Sequence, residues 1–144
     1  MIVFTIGYTK KSAEQFFRCL KQPHLLRVVD VRLKNVSQLA GFTKKGDLQF
    51  FLREICGMDY VHLSDLAPTK EIFDEVKKDH CEWSACATKF VDLLSTRRVE
   101  ERVSHDLIDG GCLLCSEPTP EHCHRRLVAE YLRGKWGNLE IRHL

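Results

Sequence analysis

Leu113-Leu114-Cys115-Ser116-Glu117-Pro118-Thr119-Pro120-Glu121-His122-Cys123-His124-Arg125-Arg126 joins an apolar run to a helical one, and that junction sets the fold class. Gly111 to Leu114 reads as a strand that ends in polar residues. Beyond it, Thr119 is placed to cap a helix with Pro120 at its first position, and Leu127, Val128 and Tyr131 recur at helical spacing. The junction gathers thiols, imidazoles, carboxylates and guanidiniums at a helix N-terminus, where the backbone favours anions and lowers thiol pKa values.

The same alternation continues outward in both directions. Ile2 to Ile6 is a β-branched and aromatic run ended by Gly7, followed by a helix from the capping Ser12 to Leu20. Leu25 to Val31 reads as the second strand, Gly46 to Ile55 as a helix with its stripe at 48, 51, 52 and 55, and Tyr60 to Leu63 as the third strand. Ile72 to Lys78, Trp83 to Leu94 and Val99 to Ile108 follow as helices, then the Gly111 to Cys115 strand, a helix from Pro120 to Gly134, and a last strand from Leu139 to Leu144. Helix-length crossovers between strands predict an α/β fold. It is a single three-layer domain over residues 1–144, with a mainly parallel sheet of about five strands covered by helices on both faces and no hairpin between them. The charged stretch from Pro68 to Cys81 is expected to be the mobile excursion.

Composition narrows the function. A chain of 144 residues suits one hydrophobic core. The apolar runs are too short to span a bilayer, and Met1 to Gly7 lacks the basic region and cleavage site of a signal peptide, so a cytoplasmic protein without a membrane partner is expected. Seven cysteines, an odd number, read in a reducing compartment as thiols rather than a disulfide framework. A net charge of +2 does not itself argue for nucleic acid, although Lys44-Lys45 and Arg125-Arg126 form basic pairs.

In an open parallel sheet, ligands bind beyond the carboxyl ends of the strands. Tyr8 and Thr9 follow the first strand, Asp30 and Arg32 close the second, His62, Ser64 and Asp65 the third, Cys115 and Glu117 the fourth, and His143 the last. Loops are polar in any α/β protein, which accounts for some of this. Charges inside an apolar run, as in Val28-Val29-Asp30-Val31-Arg32, need partners, either each other or a ligand.

Thr5-Ile6-Gly7-Tyr8-Thr9, Val29-Asp30-Val31-Arg32, Ser37, Tyr60-Val61-His62-Leu63, Leu114-Cys115-Ser116-Glu117, Cys123-His124-Arg125 and Ile141-Arg142-His143-Leu144 resemble the successive motifs of the domain of unknown function 488 family. The resemblance covers essentially the whole chain, in a short branch with reduced segments after His62. It implies this fold and a site at the carboxyl edge, with Ser37 among the ligand-binding residues, and it implies no particular reaction.

Four chemistries fit the cysteine-rich junction. Cys123 in the first helical turn would be a thiolate nucleophile, with His124 or His143 shuttling protons; as a small apolar group it would instead pack in the core. Cys112, Cys115, Cys123 and His124 would bind zinc, but Cys112 and Cys115 are three apart on a strand and point to opposite faces. Glu117 would act as general acid or base while Arg32 and Arg125 hold an anionic substrate. Lastly, the edge would carry no chemistry and be a phosphate- or nucleotide-binding pocket in a regulatory or adaptor protein, with a non-catalytic nucleic-acid or protein interaction module as the alternative of a different class. The third, joined to anion binding, describes the chain best. On this reading an enzyme is expected, a hydrolase or transferase, for a small phosphorylated or nucleotide-like ligand or exposed nucleic-acid backbone. Glu117, His124, Cys123 and Cys115 are its catalytic set, Tyr8, Arg32, Ser37, His62, Arg125 and His143 its ligand contacts, and no metal, cofactor or disulfide is expected. If Arg32 and Arg125 clamp the anion, alanine at either leaves the fold nearly intact. If Arg32 instead pairs with Asp30 or Glu117, alanine strands a buried carboxylate.

Overall fold

The computed structural model describes residues 1–36, 41–78 and 81–144. Five strands, β1 (Ile2–Gly7), β2 (Arg27–Asp30), β3 (Asp59–His62), β4 (Gly111–Cys115) and β5 (Glu140–His143), form one sheet in the order β3-β2-β4-β1-β5. Every pairing is parallel. The register sets Gly7 beside Cys115 and Asp30 beside both Leu114 and His62, so the carboxyl ends of the strands share one edge.

Side chains alternate across the sheet and divide the core in two. Phe4, Ile6, Val28, Cys112 and Leu114 pack with Phe16, Phe17 and Leu20 of the α1 (Ala13–Cys19) region, and with Leu48 of α2 (Lys45–Phe51) and Leu52 beyond it. On the other face Val3, Val29, Val31 and Leu113 meet Phe90 and Leu94 of α4 (Trp83–Arg97), and Leu127, Val128 and Leu132 of α7 (His124–Trp136). Three layers result. The α1 helix starts where its sequence says, with the Ser12 side chain accepting from the Gln15 N–H and Gln15 returning the bond to the Ser12 N–H.

Several boundaries differ from expectation, each for a physical reason. The stripe through Ile55 is helical throughout, but Leu52–Cys56 widens into a π-helical turn before Gly57 closes it at φ 61°. Val99 to Ile108 breaks into α5 (Val99–Arg102) and α6 (His105–Ile108), because Ser104 starts a new helix by accepting from the Asp106 N–H. The helix expected over Ile72 to Lys78 forms as α3 (Lys70–Lys77) and starts two residues earlier because Thr69 caps it, its hydroxyl accepting from the Ile72 N–H. The last helix does not begin at Pro120. Residues 116–123 form a loop, and α7 starts at His124 with Cys123 as its N-cap.

The expected absence of disulfides is also corrected: Cys81 and Cys86 are joined. An odd thiol count argues against a framework of bridges but allows one local pair, and the two Cα atoms, 6.3 Å apart where the chain enters α4, lie within reach of a bond. No helix among the described residues is long and apolar enough to cross a membrane.

Candidate functional site

The connections after β1 and β2 run to the α1/α2 face, and those after β3 and β4 run to the α4/α7 face. Since β4 lies between β2 and β1, the chain leaves β4 toward one face and both of its neighbours toward the other, which opens a crevice at its carboxyl end. A cavity of about 320 Å³ occupies this place. Tyr8, Arg32, Cys115, Glu117, His122 and His124 contribute its polar lining. Phe73 and Val76 of α3, with Pro68 and Leu33, form an apolar wall. That wall was not identified from the sequence as part of the site. The only local sign of it is the apolar face of a short amphipathic helix, which reads equally well as core.

Asp30, fully buried, accepts from the Arg32 Nε (2.9 Å), Nη2 (2.9 Å) and backbone N–H (3.0 Å), and from the Tyr60 hydroxyl (2.6 Å). Arg32 Nη2 also donates to the Thr43 carbonyl at 2.7 Å. Of the two alternatives for Arg32, the buried pair with Asp30 is the one formed. These bonds use Nε and Nη2 and leave Nη1 without a hydrogen-bond partner among the described residues. The guanidinium carbon lies 5.4 Å from the centre of the Tyr8 ring, a second cavity residue. Burial first, and then the bond to Asp30, push the Tyr60 hydroxyl well above its ordinary pKa.

Arg125 lies behind the cavity rather than on its wall. It is 0% exposed; Nε donates to Thr5 Oγ1 at 3.3 Å, and Nη1 donates to the Glu117 carbonyl at 2.7 Å and lies 3.3 Å from Cys123 Sγ. Its side chain therefore fastens the loop after β4 to β1. The fit is close at Gly7, where a Cβ would come within 1.5 Å of the Glu117 carbonyl oxygen and 2.8 Å of Arg125 Nη1. Backbone cannot yield by that much, so Gly7→Ala should push the loop off β1. The expected cost is at least about 1–3 kcal/mol, measured by urea denaturation, with loss of any ligand binding at the cavity.

The sulfur atoms sort by location. Cys112 is fully buried on the α1/α2 face and burial raises its pKa, while Cys115 lies at the strand end on the cavity, as the pleat dictates. Cys115 is held well below the ordinary thiol pKa: a hydrogen bond from Cys123 contributes most, followed by His124 and Arg125, all against the penalty of burial. Cys123 is pushed up, chiefly because it donates to Cys115. Of the two cysteines expected as nucleophiles, the surroundings that favour a thiolate are those of Cys115. His124 lines the cavity between Phe90 (4.6 Å) and Trp83 (5.9 Å), and its Nε2 is buried without a hydrogen-bond partner among the described residues, as is Arg125 Nη2. Trp83 also stacks on His122 at 5.2 Å.

Two of the expected histidines do not line the cavity. His62 bonds the Arg32 carbonyl at 2.9 Å, and His143 bonds Thr5 Oγ1 at 2.6 Å. Ser37 lies outside the described residues. Glu75, Cys81 and Cys86 place ligand-type atoms within 4.8 Å of one another, but the two sulfurs are joined and Lys89 Nζ holds Glu75 Oε2 at 3.1 Å.

The protein is thus an α/β protein with a cysteine-bearing cavity at the switch point of a five-stranded parallel sheet. Residues 12–132 match the family described as Domain of unknown function DUF488, and the chain belongs to that family. No curated protein and no solved structure matches it.

Proposed function

We propose that the protein is an enzyme acting on a small anionic ligand, phosphate-containing or nucleotide-like, with Cys115 as its nucleophile. One observation carries this reading: Cys115 combines a place on the cavity wall with contacts from Cys123, His124 and Arg125 that favour its thiolate. The ligand's anionic group fits the Arg32 Nη1 side, with Tyr8 beside it, and its apolar body fits against Phe73, Val76 and Pro68. Glu117 and His124, both on the wall, are the groups available to move protons, and the unpartnered His124 Nε2 is a natural contact for a ligand oxygen. A concave cavity with one apolar wall favours catalysis over a shallow basic binding surface. Arg32, which such a surface would need, is 6% exposed and paired.

Iodoacetamide labelling followed by peptide mass spectrometry tests the reading. Cys115 should be modified faster than any other thiol, and its rate should persist to pH values well below the roughly 8.5 of a free thiol, because its thiolate is stabilised. Phosphate or AMP should slow the labelling. Labelling of Cys115 that follows an ordinary thiol pH curve would remove the nucleophile. Fast labelling with no protection by either compound would keep the nucleophile and remove the anionic ligand.

A further inference from the structure

We infer that Cys115 and Cys123 form a reversible disulfide site, in which a hydroperoxide oxidises Cys115 and Cys123 closes on it. The inference rests on the reading of Cys115 as the nucleophile and adds a covalent regulation of that same residue. The two thiols come from different elements, the end of β4 and the N-cap of α7, and they meet at one strand end: Cys115 pairs in register with Gly7 and shares the α7 side of the sheet with Leu113, while Arg125 Nη1 lies 3.3 Å from Cys123 Sγ and 2.8 Å from where a Cβ on Gly7 would be. Their exposure differs in a way that fixes the order of events. Cys115 opens on the cavity at 8% exposure, whereas Cys123 sits behind it at 0%. An oxidant entering the cavity therefore meets Cys115 alone, and Cys123 can react only from within.

No other described thiol competes for Cys115. Cys112 lies on the opposite face, Cys19 and Cys56 pack with the α1/α2 cluster, and Cys81 and Cys86 are joined to each other. Arg125 Nη1, 3.3 Å from Cys123 Sγ, favours negative charge on that sulfur as it attacks.

The chemistry balances. The Cys115 thiolate attacks one oxygen of the hydroperoxide and the O–O bond breaks; the other oxygen leaves with the electron pair, takes a proton and departs as alcohol or water. Cys115 is now a sulfenic acid, oxidised by two electrons. Cys123 then attacks Cys115 Sγ while its proton goes to the departing hydroxide, so one water leaves and an S–S bond forms. Two equivalents of a low-molecular-weight thiol return both cysteines to thiols and leave as their own disulfide. The consequence is protection: the bridged sulfur cannot proceed to the irreversible sulfinic acid.

The test treats the full wild-type chain with stoichiometric hydrogen peroxide, blocks remaining thiols with iodoacetamide, and cleaves at glutamate. Cleavage after Glu121 separates the two cysteines. The expected product is a linked pair of fragments, one holding Cys115 and the other Cys123, lighter by two hydrogens than their sum, which dithiothreitol separates and which is distinct in mass from the pair joined by Cys81 and Cys86. Cys123→Ser should instead accumulate Cys115 sulfinic acid that dithiothreitol does not reverse. If wild-type Cys115 passes to sulfinic acid with no linked pair, the inference fails and the nucleophile stands. If Cys115 neither alkylates nor oxidises at neutral pH, the nucleophile reading fails and takes the inference with it. The wild-type result alone decides, whatever the variant's fold.

Discussion

Arg32→Ala is expected to destabilise the fold by about 3–5 kcal/mol, because it leaves the buried Asp30 carboxylate without its counter-charge. For a chain of this size the melting temperature should fall by roughly 10 °C. Two of the donors to Asp30, the Tyr60 hydroxyl and the backbone N–H of residue 32, survive the substitution, so the carboxylate keeps hydrogen bonds and loses charge compensation. Lysine should recover little. One ammonium on a flexible stem cannot reproduce the fork that meets both Asp30 oxygens and the Thr43 carbonyl together. Removing both charges as Asp30→Leu with Arg32→Met should recover most of the loss, since an apolar pair of similar volume carries no desolvation penalty. Urea denaturation of the four proteins checks this. A cost below about 1 kcal/mol for Arg32→Ala would mean that the pair does not hold the fold and that Arg32 is free to serve a ligand alone.

The parallel sheet was legible because helix-length segments separate the strands, and a parallel pair needs such a crossover. Strand order is another matter. With five strand ends at one edge, the sequence treats His62 and His143 like Cys115, but β3 and β5 are the outer strands, and the crevice forms only over the central β4. Chemistry at the junction was half legible for a similar reason. Thr119 and Pro120 are sound local signals for a helix start, yet the bond from Arg125 to the Glu117 carbonyl and the close contact at Gly7 hold that segment as a loop. Moving the helix start to His124 places Cys123 behind Cys115 as its donor. The exchange of roles between the two thiols follows from that shift. The α3 wall and the Cys81–Cys86 bond are contacts between segments, and neither spacing nor residue count encodes them.

Cys115 and Arg125 are expected to be energetically coupled, and a double-mutant cycle should show it. Arg125 carries a guanidinium that is fully buried, with no carboxylate partner among the described residues. The group near it that can carry a negative charge is Cys115, whose pKa Arg125 helps to lower. Arg125→Met should cost about 3–5 kcal/mol, since it removes the charge and releases the Glu117 carbonyl. Cys115→Ser should also destabilise, because it leaves the guanidinium uncompensated, and the double variant should lose less than the sum by about 1–3 kcal/mol. The pH dependence has a definite sign. Cys115 has a lower pKa folded than unfolded, so its contribution is fully present above the unfolded value of roughly 8.5 and is lost as pH falls through the folded value. The wild type's advantage over Cys115→Ser should therefore grow as pH rises toward that value. Above it, Cys112 and Cys123 hold their protons in the folded state more tightly than in the unfolded chain, and total stability should turn downward. Additive losses, with a pH-independent gap between wild type and Cys115→Ser, would show that Cys115 is a neutral thiol in the folded protein and that Arg125 is held by its hydrogen bonds alone.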